Sequence, residues 1–308
     1  MSNQHPSPAR RKTLLGDRLE KPIESIIRIC GWSSIAALAA IFIFILKEAG
    51  PQIGSMNWGE FFTSTRWIPN PAEGNQAHYG AFALIVGTFS TTAIALLIAV
   101  PLGLAAAVYL SEFASGKLKE VLKIVIELLA AIPSIVWGVI GLTVLGPFIQ
   151  DLLGAKQPGN LLVGGIVLGL MSVPLIVSLG EDALRAVPDS YREAALALGA
   201  SKWEIVYRVL FPAAKTGLLA AVMLGLGRAV GETMAALLAT GHNNQIPSAI
   251  TDPVRTITAT IAAEMAETVQ GDDHYRVLFV LGLFLFLITG TINVIADLVI
   301  KGRGARHH

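Results

Sequence analysis

The sequence predicts an all-α membrane protein with six transmembrane helices, and three observations indicate this class. Hydrophobic residues make up 53% of the 308 residues and charged residues only 15%. The mean hydropathy of +0.62 departs from ordinary globular usage in the same direction. Six long intervals are free, or nearly free, of charge, and a helix that crosses the bilayer needs about 20 mainly apolar residues.

Each predicted span corresponds to one of these intervals. Pro133 interrupts the third of them and predicts a kink, which either lines a pathway or serves packing alone. One interval, at 216–240, contains two charged residues, Arg228 and Glu232, and it would form the fifth span along the chain. The remaining five intervals hold 18, 33, 23, 24 and 20 residues without a charged side chain, at 29–46, 79–111, 128–150, 157–180 and 277–296.

The distribution of Lys and Arg predicts that both termini face the cytoplasm. Short positively charged loops tend to stay on that side, and with the N-terminus inside, 17 of the 23 Lys and Arg residues fall on cytoplasmic segments. Five fall on outer segments, and the remaining one is Arg228. The predicted organisation is a cytoplasmic tail with an interfacial stretch (1–28), an anchor helix (29–47), an external loop (48–79), a five-helix core (80–300) and a cytoplasmic tail (301–308).

Composition and motifs exclude several classes of protein. A net charge of +1 gives no electrostatic basis for binding nucleic acid, so the lipid bilayer is the expected surroundings. The single cysteine, Cys30, has no partner for an intramolecular disulfide. Neither the H-E-x-x-H nor the G-x-S-x-G pattern of hydrolases is present, so no enzyme activity is expected. Asp272 to His274 have metal-ligand chemistry without further ligands nearby, so we expect a loop there and no metal site.

The loop between the fourth and fifth spans, 187–214, predicts a helix, a sharp turn and a second helix. Each helix begins with a capping-box pattern, a Ser three residues before a Glu. Gly199 is placed to end the first helix and Pro212 to stop the second. Alanines near the turn suit insertion into a groove on another protein, although an ordinary ordered loop fits the capping patterns equally well. The capping pairs are Ser190 with Glu193 and Ser201 with Glu204.

The run EAALALGASKWEIVYRVLFP in this loop resembles the EAA loop of ABC importer permeases. That motif reads Glu-Ala-Ala, three residues, Gly, nine residues and Ile-x-Leu-Pro, and this chain departs from it only by apolar swaps at Val209 and Phe211. In that family the loop is a coupling helix that docks onto a cytoplasmic ATPase. The resemblance therefore implies a type I (MetI-like) permease core whose coupling residues are Glu193, Ala194, Ala195, Gly199 and Pro212.

The chain itself has no nucleotide-binding pattern. Its only Gly-Lys pair, Gly116 and Lys117, has Ser111 where a P-loop needs its first glycine and Leu118 where it needs Ser or Thr. Hydrolysis is therefore expected in a partner ATPase, which would bind ATP and Mg²⁺. No cofactor is expected in this chain.

A second informative feature is GLGRAVGETMA, residues 225–235, because it places two charges inside a span. With about 1.5 Å per residue counted from Lys215 and from Thr240, Arg228 is predicted near the membrane midplane. A charge there costs roughly 2.5 to 3.5 kcal/mol on insertion scales, and such residues usually face a polar cavity or a partner. The sequence therefore predicts a functional position at Arg228.

The spacing of this segment predicts how its side chains are arranged. Arg228 and Glu232 are four residues apart, so one face of a continuous helix is predicted to carry both. Gly227 and Gly231 would let another helix approach beside that face. The alternative is a buried ion pair that only locks helix packing.

The arginine also indicates the chemistry of a cargo. Its charge is permanent and its planar fork matches oxyanions, so the residues alone predict a small, oxygen-rich anion. The segments EDALRAVPDSYREAALALGA, LGLGRAVGETMA and DPVRTITATIAAEM are similar to phosphate importer permeases of the PstC type, over roughly residues 80–300. That similarity implies that Arg228, Glu232 and Thr233 lie on the substrate pathway.

The same similarity implies an assembly in the bacterial inner membrane. Its expected partners are a second permease subunit of the PstA type, two copies of a PstB-type ATPase and an external PstS-type phosphate-binding protein. Three alternatives remain at this point: a PstA-type subunit, a permease for another oxyanion such as sulfate or molybdate, and an ATP-independent secondary transporter or channel. Co-purification with an ATPase separates the last of these from the others.

Overall fold

The computed structural model describes residues 14–71 and 76–304, and the outermost parts of the two predicted tails lie outside these ranges. In the described part, six helices are long and apolar enough to cross a membrane, as predicted. The all-α class with six spans is therefore confirmed. The spans are Pro22–Ser55, Phe82–Phe113, Ser134–Leu153, Leu161–Arg185, Lys202–Gly231 and Asp273–Ile295.

The described residues form thirteen α-helices, and short π-helical segments follow or join some of them within the spans. A two-stranded antiparallel hairpin, β1 (Trp67–Ile68) and β2 (His78–Tyr79), lies between the first two spans. The helices are α1 (Leu14–Ser55), α2 (Trp58–Thr63), α3 (Phe82–Val108), α4 (Gly116–Ala131), α5 (Ser134–Ile140), α6 (Gly146–Leu153), α7 (Leu161–Arg185), α8 (Asp189–Ala197), α9 (Lys202–Ile205), α10 (Phe211–Gly231), α11 (Met234–Ala239), α12 (Ile257–Glu264) and α13 (Asp273–Gly304).

Helix α1 is longer than the predicted anchor at 29–47. It includes the described part of the stretch expected at the interface and continues to Ser55. Its neighbour is α13, against which Phe42 packs with its ring 5.0 Å from that of Phe286. Because α1 otherwise has an exposed apolar surface, it lies at the periphery of the chain.

The third interval, 128–150, does not form one helix. The backbone becomes extended at Ile132, Pro133 precedes the first residue of α5, and the span begins only at Ser134. The predicted irregularity at Pro133 is therefore present, but it separates two helices instead of bending one. The first of these, α4, has no buried residue in this chain.

Helices α3 and α7 form the centre of the molecule, and small residues let their backbones approach. A Cβ at Gly165 would lie 2.4 Å from Cγ2 of Ile94, and one at Gly103 would lie 2.7 Å from Cγ2 of Ile176. Only glycine fits at such positions, which explains how α7 becomes the most buried of the six spans.

Because the spans alternate in direction, the connections lie on two sides. We call the side that carries residues 114–133 and 186–201 the basic side, because most of the loop Lys and Arg lie there. We call the side that carries residues 56–81, 154–160 and 240–272 the cap side. The cap side is held together by an apolar cluster that joins α1, α2 and α13, including Ala49, Phe61 and Leu281.

Candidate functional site

The fifth span ends in a break of the helix at the predicted site. Helix α10 ends at Gly231, Glu232 has extended backbone angles of φ −71° and ψ 130°, and α11 begins at Met234. The prediction that Arg228 and Glu232 lie on one face of a continuous helix is therefore wrong. The break is tolerated because the backbone N–H and C=O groups that lose their helical partners there form hydrogen bonds with polar residues nearby.

The carboxylate of Glu232 serves as one of these partners. Its Oε1 accepts hydrogen bonds from the backbone N–H groups of Thr233 at 3.1 Å and Ala235 at 3.4 Å. These are donors at the start of α11 that have no partner within a helix, and a negative charge there is favourable. Glu232 therefore caps α11, a role that the spacing of the sequence did not indicate.

A second element, α12, contacts the same break from the cap side. The hydroxyl of Thr258, in the first turn of α12, donates to the backbone carbonyl of Glu232 at 2.7 Å. Thr256 caps this helix by accepting a hydrogen bond from the N–H of Ala259 at 3.2 Å. The segment after Thr240 therefore enters the helical core.

Helix α3 supports this entering segment. The N–H of Ile257 donates to Oγ1 of Thr88 at 3.0 Å, and a Cβ at Gly87 would lie only 2.3 Å from the carbonyl oxygen of Arg255. A glycine at position 87 is thus required for the backbone of residues 255–257 to lie against α3. The position of Thr258 at the break depends on this contact.

One face of the break is open. Arg228, Gly231 and Met234 are exposed, and Glu232 and Thr233 are half-buried. Arg228 and Glu232 form no ion pair with each other, and Arg228 has no ion-pair partner among the described residues. The alternative of a buried pair that locks packing is therefore excluded for this chain.

The glycines beside this face have no close neighbour among residues 14–71 and 76–304. A Cβ at Gly227 or Gly231 would have no described atom within 4 Å, so the predicted close helix does not come from the described part of the chain. Gly225 has the packing role instead, because a Cβ there would lie 2.8 Å from Cδ1 of Ile176. The face that contains Arg228 is consequently a free surface of the single chain.

Beyond the break, a largely buried carboxylate, 12% exposed, joins three elements on the cap side. Glu264, at the end of α12, accepts hydrogen bonds from Nε1 of Trp67 at 3.0 and 2.9 Å and pairs with Arg255 at 2.5 Å. Nε2 of His274, in the first turn of α13, lies 2.8 Å from the same carboxylate. The expectation of a loop at 272–274 is therefore wrong for Asp273 and His274, which begin the last span.

His242 on the cap side has an unusual backbone and environment. Its φ of 51° is the only positive value at a non-glycine among the described residues, and its Nδ1 is buried without a hydrogen-bond partner. Burial, and to a lesser extent the charge of Arg255, lowers its pKa to about 4, although Glu264 acts in the opposite direction. The imidazole is therefore neutral near neutral pH.

The predicted coupling loop forms its first helix and its turn. Helix α8 contains Glu193, Ala194 and Ala195, but it begins at Asp189 after Pro188, without a side-chain cap, so the first capping box is wrong. Gly199 has a φ of +82°, as predicted for a residue that ends a helix. The second capping box is confirmed: Ser201 and Glu204 bond reciprocally, at 3.3 and 3.0 Å.

Pro212 does not stop the second helix, contrary to the prediction. A π-helical segment, Val206–Leu210, precedes it, and the N–H of Phe211 donates to the carbonyl of Val206 five residues earlier. The wider turn lets Pro212 take a position in the first turn of α10, where its missing N–H is tolerated. The second helix of the coupling loop is therefore continuous with α10, which carries Arg228 and ends at Gly231.

Large apolar side chains lie exposed around the turn of this segment. Leu198 is 89% exposed and Trp203 is 61% exposed, and Leu196 is also exposed. Glu193, Ala194 and Gly199 are exposed beside them, and Ala195 is half-buried. An apolar tip of this kind, set on short helices, has the character of a surface that another protein covers.

Two ion-pair clusters on the basic side were missed by the sequence reasoning. Arg192, one residue before the Glu-Ala-Ala run, pairs with Glu112 after α3 at 3.0 Å. Glu181, in α7, is almost fully buried and is approached by three cations. Partners 58, 62 and 80 positions apart leave no periodic signal in the sequence. The cations near Glu181 are Lys119 at 3.7 Å, Lys123 at 3.5 Å and Arg185 at 3.2 Å.

Comparison with known proteins identifies what this chain is similar to. The family described as "Binding-protein-dependent transport system inner membrane component" matches residues 99–302. A Bacillus subtilis protein described as "Probable ABC transporter permease protein YqgH" is 37% identical, over 94% of this chain and 95% of that protein. The "Phosphate transport system permease protein PstC" of Haemophilus influenzae is 39% identical, over 86% of this chain and 90% of that protein.

Solved structures share the fold at low sequence identity. An inward-facing methionine ABC transporter, MetNI, aligns with a TM-score of 0.58 at 20% identity, over 72% of this chain and 96% of the other. A bacterial ABC transporter involved in the import of alginate aligns with a TM-score of 0.56 at 16% identity, over 92% of this chain and 98% of the other. These likenesses concern the arrangement of helices.

Proposed function

The chain belongs to the family of inner-membrane components of binding-protein-dependent transport systems, and on that premise we propose that it is a permease subunit of an ATP-driven phosphate importer. The substrate assignment is supported by relatives whose names specify phosphate transport, at 35–39% identity over most of their length. The single observation that carries the role of the site is the exposed, unpaired Arg228 beside a break in the fifth span.

This chain forms half of the pathway in the proposed assembly. A permanently charged guanidinium on an apolar span is costly in lipid, so a surface that bears it belongs against a polar passage or a partner. The open face of Arg228, Gly227 and Gly231 offers that surface, and the second permease subunit, of the PstA type, would complete it. Arg228 would bind the oxyanion, the carboxylate of Glu232 would moderate the attraction so that the ion leaves again, and the hydroxyl of Thr233 would lie beside them on the pathway.

The coupling segment, residues 187–214, is the proposed contact with the ATPase. The exposed apolar tip at Leu198 and Trp203 suits a groove on another protein, and two copies of a PstB-type ATPase would each serve one permease subunit. ATP and Mg²⁺ would be bound there, because this chain has no P-loop. Movement of the ATPases would switch access to the break between the two sides.

The orientation follows from the charges. With the basic side in the cytoplasm, both termini are cytoplasmic and the cap side faces outward in the bacterial plasma membrane. The external phosphate-binding protein, of the PstS type, would then dock on the cap side. A polar cavity of about 330 Å³, lined among others by Lys156, Asn243 and Asp252, opens there between two loops.

The test is ATP hydrolysis by the complex reconstituted in proteoliposomes with the second permease, the ATPase and the binding protein. We expect phosphate with its binding protein to stimulate hydrolysis at least about fivefold, and sulfate and molybdate to leave it at the basal rate. Stimulation by sulfate or molybdate instead of phosphate would assign another oxyanion. A chain that purifies without an ATPase and moves phosphate without ATP would contradict the proposal altogether.

A further inference from the structure

Among the described residues, Arg192 donates more hydrogen bonds than any other cation on the basic side. Its Nη2 donates to Oε1 of Glu112 at 3.0 Å and its Nε to Oε2 of the same carboxylate at 3.3 Å, which is a bidentate pair. The side chains of Arg192 and Glu112 are only 18% and 14% exposed. Partial burial and two parallel bonds distinguish this pair from ordinary surface ion pairs.

The remaining donors of Arg192 bind the chain around its own loop. Its Nη1 donates to the carbonyl of Val187 at 2.8 Å and to Oδ1 of Asp189 at 3.0 Å, and its Nη2 also donates to the carbonyl of Leu184 at 2.9 Å. Leu184 lies in the last turn of α7, whose carbonyls favour a cation. The hydrogen bonds to Glu112 raise the pKa of the Arg192 guanidinium, so it stays charged at all relevant pH values.

Glu112 belongs to the π-helical segment Tyr109–Phe113, which continues α3 at its basic end. Ser111 donates to its Oε1 at 2.7 Å and thereby holds the carboxylate toward Arg192. The other end of α3 supports the segment that bears Thr258, through the bond from Ile257 to Thr88. Helix α3 thus contacts the coupling segment at one end and the support of the helix break at the other.

The fifth span follows the second half of the coupling segment because α9, the π-helical segment Val206–Leu210 and α10 form one continuous helix, which the turn at Gly199 joins to α8. Helix α3 has no covalent link to α8, and it follows α8 through side-chain contacts, which are an apolar cluster that includes Val108, Val187 and Val206 and the polar tie of Arg192 with Glu112. We propose that Arg192 and Glu112 form a clasp that makes α3 move with α8, so that Arg192 is a positioning residue for coupling and not a contact with the ATPase. This inference rests on the proposed function, because the clasp has a task only where an ATPase moves α8.

The variant Glu112→Ala tests the clasp, because it leaves the bonds from Arg192 to its own loop in place. The readout is phosphate transported per ATP hydrolysed by the reconstituted complex. We expect this ratio to fall at least about fivefold with the yield of assembled complex unchanged, whereas a merely structural role would lower yield and both rates together. Glu120→Ala is the matched control, since Glu120 is exposed and has no ion pair among the described residues.

A double-mutant cycle adds a stricter condition. If Glu112 acts through Arg192, the double variant E112A/R192A has the same ratio as Arg192→Ala within about twofold, because the effects of coupled residues are not additive. If the double variant instead lowered the ratio by the product of the two single-variant reductions, the clasp would be overturned. Should Glu112→Ala lower the yield, Glu112→Gln replaces it, with an expected loss of at least about threefold, and a wild-type ratio in that variant overturns the clasp.

Failure of the clasp and failure of the proposed function give different results. If the wild-type complex shows no phosphate-stimulated hydrolysis, the proposed function is wrong before any variant is measured. If the wild-type complex transports phosphate and Glu112→Ala transports it with the same ratio, only the clasp is wrong. The variant Arg192→Lys is expected to transport less phosphate per ATP than the wild type but more than Arg192→Ala, because an ammonium retains the charge but not the bidentate geometry.

Discussion

The hydroxyl of Thr258 donates a 2.7 Å hydrogen bond to the backbone carbonyl of Glu232. This bond joins α12, which enters from the cap side, to the point where the fifth span is broken. A carbonyl left without its helical partner is expensive in an apolar region, so Thr258 stabilises the extended backbone at Glu232. The position of Arg228, in the last turn before the break, depends on this arrangement.

Thr258→Val is expected to lower phosphate uptake about three- to tenfold. Valine has nearly the same shape, and it removes the bond to Glu232, of about 0.5 to 1.5 kcal/mol, together with the 3.2 Å hydroxyl contact with Thr256. The break would then shift toward other conformations. Thr143→Val is the control, since the hydroxyl of Thr143 bonds only to the carbonyl of Val139 in its own helix. Uptake is measured in proteoliposomes at matched protein content, and equal uptake by the two variants would speak against a role for the bond.

Leu198→Asp is expected to reduce retention of the ATPase on the purified permease at least about tenfold. A charge at a tip that another protein covers would be buried without a partner, which is strongly unfavourable. Val269→Asp is the matched control, because Val269 is 74% exposed but lies on the cap side. Retention is measured by affinity purification in detergent. Full retention of the ATPase by Leu198→Asp would show that the tip is not its docking surface.

The stability of the permease in detergent is expected to depend on His242 below neutral pH. Its folded pKa is about 4 and its ordinary value is 6.5, so above pH 6.5 both the folded and the unfolded states are neutral there. As the pH falls from 6.5 to 4, the unfolded state takes up a proton that the folded state does not, and stability is lost through this window. Below pH 4 no further loss comes from this group.

The variant His242→Asn measures this contribution. Asparagine tolerates the left-handed backbone angle of this position and does not titrate, so the thermal midpoint should fall less between pH 6.5 and 4 than in the wild type. Identical pH profiles for His242→Asn and the wild type would refute the assignment.

Sequence reasoning identified the spans and the coupling turn because their signals are local. Intervals without charge, the left-handed requirement at Gly199 and the Ser201–Glu204 box are each fixed by residues a few positions apart. The break at Glu232 has no such signal, since its supports come from Thr258 and, through Ile257, from Thr88. A long, nearly uncharged interval therefore suggested one helix where tertiary contacts produce two.

At Pro212 the local pattern predicted the end of a helix, whereas the structure continues it. A proline within a helix ordinarily ends it, yet the π-helical segment Val206–Leu210 removes the clash, and the helix continues to Gly231. The ion pair of Arg192 with Glu112 joins positions 80 residues apart, and no spacing rule connects them. Local patterns thus gave the elements, and the contacts between them had to be seen in the folded chain.

The central claim is that Arg228 faces an oxyanion pathway, and phosphate uptake by Arg228→Gln tests it most directly. With wild-type assembly in proteoliposomes, we expect uptake to fall about 10- to 100-fold, the equivalent of a charge-assisted hydrogen bond of about 1.5 to 3 kcal/mol. Arg28→Gln, which alters an exposed arginine of α1 paired with Glu24, should keep wild-type uptake. Wild-type uptake by Arg228→Gln would contradict the claim.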